Sequence, residues 1–513
     1  MSARSLNHLL ALGIGSFSIL LSTNLHAQEY NTLWGDDRPY EHIPIHSNSN
    51  APPTPALEDL DVVTNVTHFD ITWHFSGPVR MGKFVNGEKY VVGACTVIDI
   101  TPKPLFGQEV LDAGWVLISP TGAVRDALYT NQWARNRSMK NPPLDLNGSG
   151  YDSRTAFDRY KPNYFLHLPV NMEPGDVLVS TVSEPSQIRT DGHGKPVKFA
   201  GFLTCLSEPQ PADAFRPSYG DRSQKIYLAR NLRRHLLFRL PRPAVTPSVR
   251  EWIHLTRHTW LDIMTYNFDA ASRNSSRYGQ GFTYTVSRVA LMLHLDLPPE
   301  DKEQLLIPRV QYGIDLWGMV RNGHPGWPGH GGFGQGRKWS MIFAGLMLGD
   351  TDMQSPSAKY PDCKFGEDTD TALGTSWTGA SVVFESHPSW RSVGSSEIHP
   401  SLWGIGESQS EGYRRCCSSI VWPGQALAAR MMGAESLWGH EPFFAYVDRW
   451  MTEDNAATTE TIMQVSSTGF EWWKREPYLH TYGFEREMWN LYRNNLPGQD
   501  SIAPNPPMNL SPL

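Results

Sequence analysis

The sequence predicts a multidomain chain of mixed α and β class. An N-terminal antiparallel β-sandwich is followed by an α/α-toroid, an incomplete barrel of αα-hairpins. Three observations predict it. Short apolar–polar alternations broken by Pro and Gly turns fill the first half, as half-buried strands require. From Ser248 onward the apolar spacing becomes helical. Within that helical half, Ala290–His294, Gly345–Gly349 and Ala429–Gly433 resemble one another, as do Asp315–Met319 and Asp448–Met451. Such repeats suit the inner and outer helices of successive hairpins. A toroid is favoured over an open solenoid because the loops between them are long, polar and aromatic, and a toroid gathers its loops at one end of a cleft.

The elements follow in order. Residues 1–27 read as a secretory signal, with Arg4 as the charged start and Leu9–Leu21 as the apolar stretch. No later apolar run reaches membrane-spanning length, so the mature chain is expected to be secreted or periplasmic. Residues 28–60, rich in Pro, Asn, Ser and His, read as a linker or a surface-hugging arm. The sandwich is assigned to 61–243. Phe69–Phe75 alternates as a strand, and Lys89–Ile98 follows the turn dipeptide Asn86-Gly87. Trp115–Ile118 and Asp176–Ser180 are further strands, the second after the turn Glu173-Pro174-Gly175. The polar insertion Asn131–Tyr164 is a long loop of the kind that carries function. Arg242–Pro247 marks the boundary, and the toroid is assigned to 244–496. Ser248 caps a helix running through Trp252, Trp260 and Ile263. Residues 497–513 form a C-terminal tail.

The 513 residues allow two or three domains, and a formal charge of −7 argues against general nucleic-acid binding. Five cysteines leave one unpaired in a monomer. Cys95 and Cys205 fall in the same expected domain and could bridge. Cys416 and Cys417 are adjacent, with Cys363 the remaining candidate partner. The absence of any CxxC pair argues against structural zinc.

The stretch Tyr312–Asp350 draws most attention. Ile314, Leu316, Trp317 and Val320 suit one helix face, and Met341–Leu348 suits a second, buried helix. Between them a Gly-rich loop, Asn322–Gly336, carries His324, Trp327 and His330, and Arg337, Lys338 and Trp339 follow. Imidazole moves protons near neutrality, guanidinium and ammonium bind anions, and indole offers a flat face to a sugar. The spacing matches neither a phosphate loop nor HExxH. Two more clusters are cationic: Arg273–Gln280, with Asn274, Arg277 and Tyr278, and Ser408–Arg415, with Glu411, Tyr413 and Arg414. A fourth is acidic, with Glu367, Asp368 and Asp370.

Two chemistries use such an inventory. In β-elimination from a uronate, a base removes the proton α to the carboxylate, cations or amides stabilise the enolate, and an acid protonates the leaving oxygen. Asn274, Tyr278, His330, Arg337 and Tyr413 are the candidate catalytic residues. Arg277, His324, Trp327, Lys338, Trp339, Glu411 and Arg414 are the candidate substrate contacts. In glycoside hydrolysis, two carboxylates flank the bond, and Glu367, Asp368, Asp370, Glu407 and Glu411 are the candidates. The three cationic stretches contain seven Arg or Lys, counting Arg321, against Glu411 alone. That balance suits an anionic polysaccharide and favours elimination. A non-catalytic glycan-binding protein is the remaining alternative. No cofactor is required, although calcium on Asp368 and Asp370, or zinc on His324, His330 and Asp368, is compatible with the residue types.

Signal peptide, β domain and helical toroid together resemble secreted bacterial polysaccharide-degrading enzymes, in particular the α/α-toroid polysaccharide lyases. The resemblance is one of architecture and involves no family-specific motif. It implies cleavage of uronate-containing chains by Tyr and His with Asn or Arg, and would place Asn274, His330 and Tyr413 in those roles. In that class the β domain more often follows the toroid.

Overall fold

The computed structural model describes residues 41–102, 168–183, 197–221, 223–262, 280–329, 332, 334–385, 397, 399, 402, 418–453, 456–465 and 481–496, with the backbone of 117–118, 124–125 and 136–140. From His42 onward the chain packs as one unit.

Eight strands form one mixed sheet: β1 (Asp61–His68), β2 (Ile71–Lys83), β3 (Lys89–Val92), β4 (Cys95–Thr101), β5 (Asn136–Lys140), β6 (Val170–Met172), β7 (Val177–Ser183) and β8 (Val197–Leu206). The long strand β2 organises them. Ile71, Trp73 and Phe75 are buried at a spacing of two, with half-buried residues between, so the alternation expected from Phe69 is realised. β1 pairs along one edge of β2. On the other edge, Thr72–Phe75 pairs with β4 and Arg80–Lys83 with β3. Between those pairings lies Ser76-Gly77-Pro78, and proline has no N–H to give a ladder.

The sheet therefore divides at Ser76–Pro78. One arm is β4–β6 and the other is β3–β8–β7–β5. The arms fold towards each other. The Trp73 indole donates to Ser180 Oγ on β7 at 2.9 Å, and Gly201 on β8 leaves room for Ile71 and Trp73. Val66, Val97, Leu178 and Leu203 complete that core. Three expectations are corrected here. The insertion Asn131–Tyr164 is not loop throughout, because Asn136–Lys140 pairs with β7 as β5. The run Lys89–Ile98 is not one strand, because Gly93 turns the chain at φ +84°. Nor are the described strands all antiparallel, because β8 runs parallel to β3.

The main helices are α1 (Val249–Thr256), α2 (Gln280–Met292), α3 (Pro299–Arg321), α4 (Arg337–Leu348), α5 (Trp422–Met431), α6 (Glu441–Thr452), α7 (Ala456–Val465) and α8 (Gly483–Tyr492). Ser248 caps α1 as expected, accepting from Glu251 N, but the helix stops at Thr256 rather than continuing to Ile263. In the α3–loop–α4 hairpin the loop has the limits read from the sequence, Asn322–Gly336, but the second helix begins at Arg337, before Met341, and the first already at Pro299. Its helices touch closely, since a Cβ on Gly313 would lie 2.4 Å from Ala344 Cβ and from Ser340 O. α2 packs on α5, and α5 on α6 and α8. The three similar segments Ala290–His294, Gly345–Gly349 and Ala429–Gly433 all span C-terminal helix ends. Gly349 and Gly433 there take positive φ, the geometry of a helix stop.

Sheet and helices share one polar junction. Arg216 lies fully buried, with its Nε on Glu88 of the β2–β3 hairpin and its Nη atoms on Asp315 of α3 at 2.8 and 2.6 Å. Burial would raise both carboxyls, and one guanidinium cannot offset both fully. At Glu88 the guanidinium prevails and holds the carboxyl low. At Asp315 burial prevails, pushing it up to about 7.

Candidate functional site

The residues that begin α4 form a buried hydrogen-bonded node. Gly336 takes φ +85°, open to glycine, and its N–H donates to Glu367 Oε1 at 2.6 Å. Gln425, a lone amide in the apolar α5, donates to the same oxygen at 2.6 Å. Glu367 is fully buried. Burial pushes its carboxyl up, and the Gly336 and Gln425 donors pull the other way without cancelling the shift. Arg337 is also fully buried. Its Nε and Nη2 reach Asp262 at 2.8 and 3.2 Å, its Nη1 donates to Gln335 O, and its guanidinium lies 3.7 Å over the Phe282 ring. Tyr312 OH donates to Asp262 at 2.9 Å. Gln335 Nε2 donates to Asp370 at 3.1 Å.

Four polar atoms in this node have no partner among the described residues: Glu367 Oε2, Gln335 Oε1, Gln425 Oε1 and Thr283 Oγ1. A Cβ on Gly336 would meet Thr283 at 3.1 Å, which places that hydroxyl beside the Gly336–Glu367 bond. Buried polar atoms are nearly always satisfied in folded proteins, by protein groups or by ordered water.

The node is also where three chain segments join the described body. Asp262, which precedes residues 263–279, holds Arg337; Gln280, which follows them, opens the helix that carries Thr283. Gly329 N donates to Thr369 Oγ1, and a Cβ on Gly329 would meet Asp370; together with Gln335 this brackets 330–333. Glu385 N, just before 386–417, donates to Asp370 O; after it, Val421 O accepts from Ser287 on α2 and Gln425 reaches Glu367.

The residues expected to face substrate separate into two groups. His324, Trp327, Arg337, Lys338 and Trp339 are all buried. Lys338 pairs with Asp368, which also accepts from Trp438 Nε1 at 2.9 Å. Burial lowers the ammonium, and Asp368 works against it. His324 Nδ1 accepts from Gly326 N at 3.0 Å, and its ring stacks on Trp327 at 4.1 Å. Trp327 is held in a two-residue parallel pairing with Phe365.

Exposed cations and indole platforms in this loop are therefore corrected to packed supports. Arg321 likewise pairs with Asp221 at 3.0 Å. Counting charges within each stretch misses these acids because they arrive from elsewhere in the chain. Asn274, Arg277, Tyr278, His330, Glu407, Glu411, Tyr413 and Arg414 lie outside the described residues. Asp262, Gln335, Gln425 and Thr283 do not stand out in the sequence. The available signal is a single polar residue inside an apolar run, as with Asp262 in Trp260-Leu261-Asp262-Ile263-Met264 and Gln425 just before Ala426-Leu427-Ala428-Ala429.

A polar cavity lies at the sheet–helix junction, among Glu88, Arg216, His258, Thr259, Tyr312 and Asp315. Its free space of about 20 Å³ admits a water and not a sugar ring. Among the described residues no group of three or more His, Cys, Asp or Glu is arranged to hold a metal ion, and no helix is long and apolar enough to cross a membrane. No family model, curated protein or solved structure matches the chain.

Proposed function

We propose that the chain is a secreted polysaccharide lyase that cleaves a uronate-containing polymer by β-elimination. On this reading its helices form an incomplete α/α-toroid, with the site over the Glu367–Gly336–Arg337 node. One observation carries the reading. The three segments that bring Asn274, Arg277 and Tyr278, then His330, then Glu411, Tyr413 and Arg414, all have their borders at that node. The candidate groups span Asn274 to Arg414, about a quarter of the sequence, in segments whose described ends lie around one place.

In the proposed reaction His330 and Tyr413 exchange the protons, taking the one α to the carboxylate and returning one to the leaving oxygen. Asn274 and Tyr278 hydrogen-bond the carboxylate as it becomes an enolate. Arg337, turned away onto Asp262, is a positioning residue that fixes the segment leaving Asp262. Arg277 and Arg414 attract the polymer.

A second reading, glycoside hydrolysis, is favoured by Glu367 itself. A carboxyl raised by burial, with one oxygen free of partners among the described residues, has the electrostatics of a general acid. Product mass distinguishes the two. Oligosaccharides released by elimination are one water lighter than those released by hydrolysis. Elimination predicts the lighter set, with His330→Ala and Tyr413→Phe each lowering turnover about 100-fold or more at unchanged melting temperature. Products of full mass, or near-wild-type turnover in both variants, would transfer the chemistry to the carboxylates.

A further inference from the structure

We propose that Cys95 and Cys205 form a disulfide that joins the two arms of the sheet. Cys95 opens β4, opposite Met172, on the short arm. Cys205 sits in β8, opposite Val91, on the long arm. The chain passes between the arms through the turn at Gly93, whose N–H donates to Leu206 O at 2.9 Å. That bond brings the start of β4 back over the end of β8. Cys205 Sγ donates to Gly93 O at 3.2 Å, two residues before Cys95. Each thiol perturbs the ionisation of the other, and both pack on the Trp73 cluster.

The pair is also chemically asymmetric in the useful sense. Cys95 is half-buried and its thiol is lowered, chiefly by its interaction with Cys205. Cys205 is buried and its thiol is raised, chiefly by that same interaction and by its burial. By exposure, Cys95 is the accessible member and Cys205 the resolving thiol behind it.

A disulfide oxidant such as oxidised glutathione completes the step. The Cys95 thiolate attacks one glutathione sulfur, forming a mixed disulfide and releasing one glutathione thiol. Cys205 then gives up its proton, attacks Cys95 Sγ and releases the second. One S–S bond is made and one is broken, and two electrons and two protons pass to glutathione. The export signal read from the sequence would deliver the chain to a compartment where such oxidants act. The bond would close the gap left where Ser76–Pro78 makes no strand pairing, and would tie together segments far apart in sequence. Cross-links closing long loops restrict the unfolded chain most. Cys363 differs: it is buried, its thiol is pushed up to about 12 by that burial, and it has no thiol against it among the described residues.

The test uses the full chain, incubated natively with oxidised glutathione or with a reductant, then alkylated and digested without reduction. The expected result is a cross-linked peptide pair containing Cys95 and Cys205, two hydrogens lighter than the separate thiols and absent after reduction. The oxidised protein should melt several degrees higher, and the Cys95→Ser/Cys205→Ser variant should lose that response to oxidant. Recovery of both cysteines as alkylated thiols after native oxidation, or of either joined to a different cysteine, overturns the proposal. Because peptide mapping is done on the natural sequence, its outcome does not depend on whether the variant folds.

Discussion

At the scale of single residues, Glu367 decides whether the node holds together. Its Oε1 serves two buried donors, Gly336 N–H and the Gln425 amide. Glu367→Ala leaves both without a partner, and a loss of about 2–4 kcal/mol by denaturant unfolding is expected. Glu367→Gln keeps an acceptor and removes the ionisable group. Burial raises the folded carboxyl above its unfolded value, so the native state favours the protonated form. That contribution is complete below the ordinary glutamate range and is lost as pH rises through the folded value. Relative to the natural protein, Glu367→Gln should therefore gain stability as pH is raised from about 4 towards about 8. A constant difference across that range would mean that the group titrates as if exposed. Little of this is legible in the sequence. A loop holding Arg337 and Lys338 reads as cationic, and only the fold shows that Asp262 and Asp368 neutralise both.

At the scale of elements, the α3–α4 hairpin is the most legible part of the chain, because glycine marks its limits. Gly323 and Gly336 bracket the loop at positive φ, and Gly349 ends the second helix in the same region. Gly313, by contrast, is needed for space. Gly313→Ala would force a Cβ into Ser340 O and Ala344, backbone and methyl that cannot swing aside. A loss of about 1–3 kcal/mol is expected, read as a lower melting temperature; an unchanged melt would show that the helices can separate freely. The sheet is less legible for a physical reason. Alternation identifies a half-buried strand but not its neighbours, so one sheet divided at Ser76–Pro78 and two stacked sheets share the same pattern. The parallel pairing of β8 with β3 joins residues more than a hundred positions apart and leaves no local trace.

At the scale of the whole molecule, the buried imidazoles set the acid limit. Burial lowers His68 to about 4 and His294 to about 3. Both are neutral in the native state, whereas the unfolded chain binds their protons near pH 6.5. Their contribution is thus intact above about pH 6.5 and falls as pH drops, by about 1.4 kcal/mol per unit for each, until the folded values are reached. His294 Nδ1 accepts from Phe238 N at 3.2 Å, an acceptor that asparagine reproduces. His294→Asn should be somewhat less stable at neutral pH yet lose less stability between about pH 6.5 and about pH 4. Parallel melting curves for the two proteins would remove His294 from the acid response.

The function itself is tested most directly by following the ultraviolet absorbance of an unsaturated uronate while the purified full chain meets alginate, glucuronan, pectate, ulvan, glycosaminoglycans and neutral glucans, with reducing ends assayed in parallel. Elimination at a site over the Glu367 node predicts that absorbance and reducing ends rise together on an anionic polymer and on no neutral one. New reducing ends without absorbance, or release from a neutral glucan, would contradict it.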